Sequence, residues 1–173
     1  MQSLGLILEK KGFEVLKNFI FLFVVLFLTS CSLKHEINFS APYKIVIKTK
    51  DIAIGDSGFI KKADGYKSIE IFSAGFLALH VELGANACIN GMCTDRLDFN
   101  RRFFGYSHYA NLLDDILDKK EIYSGMGKIK LKDGFEQNIK TKHYNITYRV
   151  TKNSIYFKDK TNHILIKLKR ITK

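Results

Sequence analysis

Two cysteines carry the clearest chemical signal in this chain. Cys88 and Cys93 are separated by four residues, with Asn90 and Gly91 at the centre. Asn-Gly is the strongest two-residue hairpin signal, because a type I′ turn needs positive φ at both central residues. Such a turn places the cysteines directly opposite each other, in a non-hydrogen-bonded pair where a disulfide is geometrically possible. The pattern favours a disulfide that pins the register of a hairpin, with free thiols, a metal site or a redox pair as the alternatives.

Other chemistry-bearing residues are scattered. A metal site needs two more soft ligands beside the cysteines, and a thioredoxin-like motif has two intervening residues where this chain has four. The sequence contains no Gly-x-Ser-x-Gly, no His-Glu-x-x-His and no phosphate loop. None of the five histidines stands at metal-ligand spacing: His35, His80, His108, His143 and His163. The sequence predicts no metal, no cofactor and no enzymatic activity.

The first thirty residues predict export from the cytoplasm. Phe19 to Leu28 is an apolar run of ten residues preceded by lysines. It has the length of a signal-peptide core, whereas a membrane-spanning helix needs about 20 apolar residues. The run ends in Leu-Thr-Ser-Cys31, which resembles the lipobox of bacterial lipoproteins. This resemblance implies that Cys31 is the lipid-attachment site. In such lipoproteins an aspartate directly after the cysteine retains the protein at the inner membrane. This chain has Ser32 there, which favours the outer membrane.

The chain is predicted to hold one folded domain. We expect a signal peptide at 1–30, longer than usual at its start, a lipidated tether at 31–43 that contains the only proline, and a β-rich domain at 44–173. The first thirty residues carry three lysines and two glutamates, so their removal changes the net charge from +11 to +10. A basic domain attracts anionic lipid, lipopolysaccharide or acidic proteins, although a generally solvated lysine-rich surface is the alternative. Because no nucleic-acid motif is present, nucleic acid is not an expected partner.

Hydrophobic periodicity predicts a mainly β fold with an inserted helical region. Apolar residues alternate in about nine segments, as expected for strands. The segment 99–122 does not alternate. Within it an apolar stripe recurs at helical spacing, and Ser107 is the expected cap at the start of that helix; the stripe comprises Tyr109, Leu112, Leu113, Ile116 and Leu117. We expect a curved antiparallel sheet wrapped around one or two helices. The predicted strands include 44–48, 51–54, 66–72, 76–83, 128–131, 144–150, 154–158 and 164–168.

The stretch YKSIEIFSAGFLALHVEL, from Tyr66 to Leu83, resembles the LolB-type outer-membrane lipoprotein receptors. The shared features are a tyrosine, an apolar strand, a short loop whose glycine, Gly75, lies nine residues on, and a second apolar strand. A short hairpin, a helical segment and the C-terminal strands follow in the same order. The resemblance implies a monomeric open half-barrel closed by helices, whose apolar cavity accepts acyl chains of lipoproteins from a soluble periplasmic carrier.

The resemblance also assigns roles to particular residues. In that family a leucine just before the loop glycine is associated with membrane insertion. This chain has Ala74 there, so Phe76 and Leu77 are the expected substitutes, and the protruding loop comprises Ala74, Gly75, Phe76 and Leu77. The residues expected to line the hydrophobic cavity are Ile69, Ile71, Leu79, Val81, Leu83, Tyr144, Ile146, Tyr148 and Val150.

The expected function is therefore localisation of lipoproteins at the periplasmic face of the outer membrane. The membrane lipid would hold the protein through Cys31, and the cargo would be the acyl chains of other lipoproteins. Two alternatives remain at this point: an accessory lipoprotein of another envelope assembly, such as lipopolysaccharide export, and a surface-exposed interaction lipoprotein.

Overall fold

The computed structural model describes residues 36–172. The predicted signal peptide and Cys31 lie outside the described residues. His35–Lys173 form one compact unit that contains the whole sheet, both helices and the core described below, so this unit has the parts that an independently folding domain needs. None of the helices in the described range has the length and hydropathy of a membrane span.

Eleven strands form one open antiparallel sheet, in the order β6-β5-β4-β3-β2-β1-β11-β10-β9-β8-β7. Neighbouring strands are joined by short hairpins, except that β1 pairs with β11 in the middle of the sheet and the two helices lie between β6 and β7 along the chain. The strands are β1 Phe39–Lys48, β2 Ala53–Ala63, β3 Tyr66–Ser73, β4 Phe76–Leu83, β5 Ala87–Ile89, β6 Met92–Thr94, β7 Lys128–Leu131, β8 Gly134–Lys140, β9 Asn145–Thr151, β10 Ser154–Asp159 and β11 Ile164–Arg170.

The sheet curves around the two helices, α1 Arg96–Phe104 and α2 Leu112–Leu117. A flat sheet of this size would be about 48 Å wide, several times the width of a helix. Nevertheless α1 contacts β5, second in the strand order, and α2 contacts β10, eighth in the order. One buried core lies between the inner face of the sheet and these helices. The predicted fold class, a mainly β curved antiparallel sheet wrapped around helices, is confirmed.

The helical region differs from the prediction in its detail. It is divided by Gly105, whose left-handed backbone (φ 72°) ends α1. Ser107 is not a helix cap; its hydroxyl accepts a hydrogen bond from Arg101 Nε at 3.1 Å. The N-cap of α1 is Asp95, whose carboxylate accepts hydrogen bonds from two backbone N–H groups of the first turn.

The sheet also begins earlier than predicted. Residues 39–43, placed in the tether by their polar composition, form the first half of β1. The Pro42 carbonyl accepts a hydrogen bond from Ile171 N–H, so this side of Pro42 faces the end of the β1–β11 ladder. Proline is tolerated there because its missing N–H interrupts no bond within the ladder. β8, whose sequence does not alternate clearly, is a further strand that the periodicity did not predict.

Charged side chains attach α2 to the sheet. Lys67 of β3 lies 3.2 Å from Asp114 and 3.4 Å from Asp118, and Lys62 of β2 lies 2.9 Å from Asp118. Arg96, at the start of α1, also pairs with Asp114. Burial raises the pKa of Asp118, but the hydrogen bonds and charges of Lys62, Lys120 and Lys67 together outweigh it, so the pKa is lowered overall. Both helices are thus held over the inner face by ion pairs as well as by apolar packing.

The hairpin of β5 and β6 has the predicted geometry. Asn90 (φ 49°) and Gly91 (φ 82°) form the turn, and Cys88 is paired with Cys93, joined to it by a disulfide with a Cα–Cα distance of 4.0 Å. The Asn90 side chain accepts a hydrogen bond from His80 N–H at 2.8 Å, and the Asn90 N–H donates to the His80 carbonyl. This turn therefore fixes β5 against β4 as well as against β6.

His108 is a buried group whose charge the fold does not favour. Its Nδ1 contacts the Tyr123 hydroxyl, and its Nε2 is buried without a hydrogen-bond partner. Its ring also packs against Phe104 and Tyr144. Burial lowers the pKa of His108 to about 4, partly opposed by the charge of Asp159. The folded protein therefore holds this imidazole neutral over most of the pH range.

We predict that acid destabilises the fold through His108. A lowered pKa means that its contribution is fully present above the unfolded pKa near 6.5 and is lost as the pH falls towards 4. The free energy of unfolding should decrease by about 3 kcal/mol over this window because of this residue. Urea unfolding at several pH values measures it, with His108→Gln as the comparison. Equal pH slopes for the two proteins would contradict the assignment.

We also predict that the disulfide stabilises the fold but is not required for it to form. Closing so small a loop is worth about 2 kcal/mol in the chain-entropy model. Mass spectrometry of unreduced, exported protein should find no alkylatable thiol, and reduction should lower the melting temperature while leaving the circular dichroism spectrum unchanged. The Cys88→Ser, Cys93→Ser double variant should match the reduced protein and be insensitive to reductant.

Candidate functional site

One end of the sheet brings together three turns and a pocket. The turns at 49–52, 74–75 and 90–91 connect their strands at the same end, which we call the mouth end. A pocket of about 270 Å³ lies there between the first turn, the β5–β6 hairpin and α1. Its lining is mostly apolar and comprises Thr49, Asp51, Ile52, Ile89, Met92, Thr94, Phe99, Arg102 and Phe103.

The first wall of the pocket is a preorganised turn. The Thr49 hydroxyl accepts hydrogen bonds from the N–H groups of Asp51 at 3.2 Å and Ile52 at 3.0 Å. A hydroxyl that satisfies two backbone donors in this way holds the turn in one conformation. The half-buried Ile52 side chain is therefore presented to the pocket at low conformational cost.

The second wall is the hairpin that carries the disulfide. Ile89 and Met92 pair directly on either side of the turn, next to the cysteine pair. Met92 is 76% exposed, which is unusual for an unbranched apolar side chain that lines a pocket. Because the disulfide closes the adjacent pair, it holds these two side chains in register.

The floor of the pocket is formed by α1. The rings of Phe99 and Phe103 stack with centroids 5.1 Å apart and planes 14° apart. α1 starts within two residues of β6, and its Asp95 cap fixes the direction in which it leaves the hairpin. Arg102, on the same helix, is exposed at the pocket and is the basic group nearest to a ligand placed there.

The β3–β4 hairpin leaves the sheet at the mouth end. β3 pairs with β2 only as far as Ile71, and β4 pairs with β5 only from Val81 onwards, whereas residues 72–77 pair within the hairpin. On the β3 side, two strand residues, Phe72 and Ser73, extend beyond the last pair with β2, which corresponds to about 7 Å of hairpin without a neighbour from β2. A turn with positive φ at Ala74 (50°) and Gly75 (84°) closes it.

The hairpin tip is apolar and exposed. Phe76 is 78% exposed and Leu77 is 50% exposed. Behind them, the ring of Phe59, itself 39% exposed, meets Phe72 edge-on with centroids 6.2 Å apart. Contiguous exposed apolar surface of this kind marks contact sites for membranes or partners more often than chance. The structure thus places the predicted loop Ala74 to Leu77 at a free tip of the sheet.

The nine residues predicted to line a cavity lie in the packed core. Eight of them are buried, and Tyr144 is partly buried against the same core. None of the nine lines the pocket at the mouth end. The inner face next to them is filled by helix side chains, including Phe103, Phe104, Leu112, Leu113 and Ile116. Burial also raises the pKa of Tyr148, whose hydroxyl has no hydrogen-bond partner.

The pocket residues were not identifiable from the sequence because they come from two distant parts of the chain, 49–52 and 89–103. Ile52 and Phe103 are 51 residues apart, and neither belongs to a recognisable motif. Met92, beside the Asn-Gly turn, was the one local feature of the sequence that pointed to the pocket, because an apolar residue at a hairpin tip is not buried in the core.

The arrangement is suited to binding an apolar ligand. Within residues 36–172, no group of three or more His, Cys, Asp or Glu side chains is placed to hold a metal ion. His80 lies 4.0 Å from Glu70 and 3.8 Å from Glu82 on the outer face, away from the pocket.

Comparison with known proteins adds no family assignment. No protein-family model and no curated protein sequence matches this chain.

Proposed function

We propose that this protein is a lipoprotein receptor of the outer membrane, which binds acyl chains of lipoproteins and passes them to the bilayer. The observation that carries the proposal is the juxtaposition, at one end of the sheet, of an apolar pocket and a free apolar hairpin tip. The protein is held at the periplasmic face by lipid on Cys31, acts as a monomer, and takes its cargo from a soluble periplasmic carrier.

The pocket supports binding of a single chain end. Its volume of about 270 Å³ lies just below the roughly 300–1,000 Å³ of typical ligand pockets. Each methylene that leaves water contributes about 0.8 kcal/mol, so even a partly inserted chain gains several kcal/mol. Arg102 at the pocket suits the polar, ester-rich end of a lipid anchor.

The hairpin tip supports delivery to the membrane. Phe76 and Leu77 are large apolar side chains that are 78% and 50% exposed, and they directly follow the two-residue turn that closes the hairpin. Apolar side chains of this size favour the boundary between headgroups and acyl chains. The tip therefore brings the pocket to the bilayer surface, where a bound chain has a short path into the lipid.

We predict that polar substitutions at the tip uncouple delivery from binding. In the Phe76→Ser, Leu77→Ser variant, transfer of a triacylated lipoprotein from a loaded carrier into outer-membrane vesicles should fall at least tenfold. Binding of a fluorescent fatty-acyl probe should stay unchanged, because neither residue lines the pocket.

The matched control for the tip variant is Met126→Ser, Ile129→Ser, which removes two exposed apolar side chains at a distance from the hairpin. This control should transfer cargo normally. Equal loss in both variants would indicate a general effect of surface hydrophobicity and contradict the role of the tip.

We predict that filling the pocket abolishes acyl binding. Thr94→Phe adds a ring beside Phe99 and Phe103 and should remove saturable binding of the probe with little change in melting temperature. Thr147→Phe, on the outer face of β9, is the control and should bind normally. If the unmodified protein binds no fatty-acyl probe, the receptor proposal fails, and an accessory or surface-exposed role is favoured.

A further inference from the structure

The outer face of the three central strands carries a concentration of lysines. Alternation along β1, β11 and β10 turns most of their apolar residues inwards and their lysines outwards. Five exposed lysines result, which we call the lysine face: Lys44, Lys48, Lys158, Lys167 and Lys169.

These lysines are close neighbours in the sheet register. Lys44 is directly opposite Lys169, while Lys48 and Lys158 flank Leu165 from both sides. Lys167 lies over the Tyr156 ring at 5.6 Å from its centroid. Like charges directly opposite each other in a sheet destabilise it. The lysine face therefore opposes folding, which is reason to seek its use elsewhere.

Charges on the flanking strands are neutralised, unlike those of the lysine face. On one side Lys61 pairs with Glu70 at 2.7 Å, and on the other Arg149 pairs with Glu136 at 2.5 Å. Among the described residues, ion pairs are formed by these and other side chains but by none of the five lysines. The positive potential is thus concentrated along the middle of the outer face.

We propose that the lysine face docks the domain onto an anionic lipid bilayer. β1, β11 and β10 are the sixth, seventh and eighth of eleven strands, and a curved sheet touches a flat surface along its middle strands. Val46, Leu165 and Tyr156 stand between the lysines, so their apolar parts reach the headgroup boundary while the ammonium groups meet the phosphates. Phe59, in the neighbouring strand, extends this contact towards the hairpin tip. An acidic protein would need a concave surface to fit the same shape.

The proposal is independent of acyl binding and is tested without the lipid anchor. The compact unit His35–Lys173 is mixed with phosphatidylcholine vesicles with or without phosphatidylglycerol, and bound protein is measured by sedimentation. Binding should require phosphatidylglycerol and should weaken as the salt concentration is raised above about 0.15 M, where charges are screened beyond roughly 8 Å.

The variants identify the surface. Lys44→Gln, Lys167→Gln, Lys169→Gln should weaken vesicle binding roughly 100-fold, given the contribution of each lysine near an anionic surface, with an equal or higher melting temperature. The control Lys130→Gln, Lys132→Gln, Lys142→Gln removes the same charge elsewhere and should lose far less. The Phe76→Ser, Leu77→Ser variant should still require phosphatidylglycerol, which separates this proposal from the role of the hairpin tip.

Four results would overturn the proposal. The first is equal binding to neutral and anionic vesicles, and the second is an equal loss in the two lysine variants. The third is absence of vesicle binding together with lysine-dependent binding of a fluorescent decaglutamate peptide, which would assign the face to an acidic protein. A lowered melting temperature in the first lysine variant would likewise count against it, because it would give these lysines a structural role.

Discussion

Burial of the inner face of an eleven-stranded sheet by two short helices is the constraint on which the rest of this structure depends. α1 and α2 contribute nine and six residues, too little to cover a flat sheet of that width. The sheet therefore curves until residues from both of its halves meet the same helices. Phe104 of α1 shows the result, because its ring packs against Phe157 of β10 at 5.6 Å although α1 follows directly from the opposite edge of the sheet.

Curvature also determines where polar groups are needed inside. Gln137, fully buried on β8, donates to the carbonyls of Ile122 and Met126 and accepts from Ile122 N–H, so the chain after α2 is held to the far half of the sheet. Lys67 and its two aspartate partners do the same for α2 on the near half. Half-buried ion pairs with several partners are worth more for position than for stability, because desolvation offsets much of the attraction. The helices are therefore located by polar contacts and stabilised by apolar ones.

Local pattern was sufficient for most of the strands and for the turn at Asn90. It missed β8 and most of β2, and it was insufficient where distant contacts determine the local structure. The stretch from Tyr66 to Leu83 alternates so clearly that its two strands were predictable within a residue. By contrast, the first half of β1 contains Pro42 and polar residues, and it is a strand because β2 pairs with it along its whole length. The helical region 99–122, predicted as one or two helices, contains two, because Gly105 with its positive φ ends α1 before α2 begins.

The candidate site marks the same limit. The tip at Ala74 to Leu77 was accessible from sequence because a hairpin is local, and its exposure follows from where pairing with the neighbours stops. The pocket was not accessible from the sequence because it depends on the curvature of the sheet. Only a curved sheet brings the turn after β1 towards the β5–β6 hairpin at the edge. The residues on the inner face were identifiable from the alternation along each strand. Whether they line a cavity or belong to a packed core depends on the volume of the helix side chains opposite them. Phe103 and Phe104 supply that volume, and they belong to a segment whose fold the pattern described only in outline.

One feature of the sequence serves both faces of the sheet. In the segments KIVIK and IKLK, the isoleucines and Leu168 face the core while the lysines, with Val46, face outwards. A slip of one residue in the pairing of β1 with β11 would turn the ammonium groups of these strands into the core and the isoleucines into water. Burying unpaired charges is far more unfavourable than the repulsion between exposed lysines. The lysine face therefore specifies the central register of the sheet even though its charges repel, and the same alternation that makes these strands predictable concentrates positive charge along the middle of the outer surface.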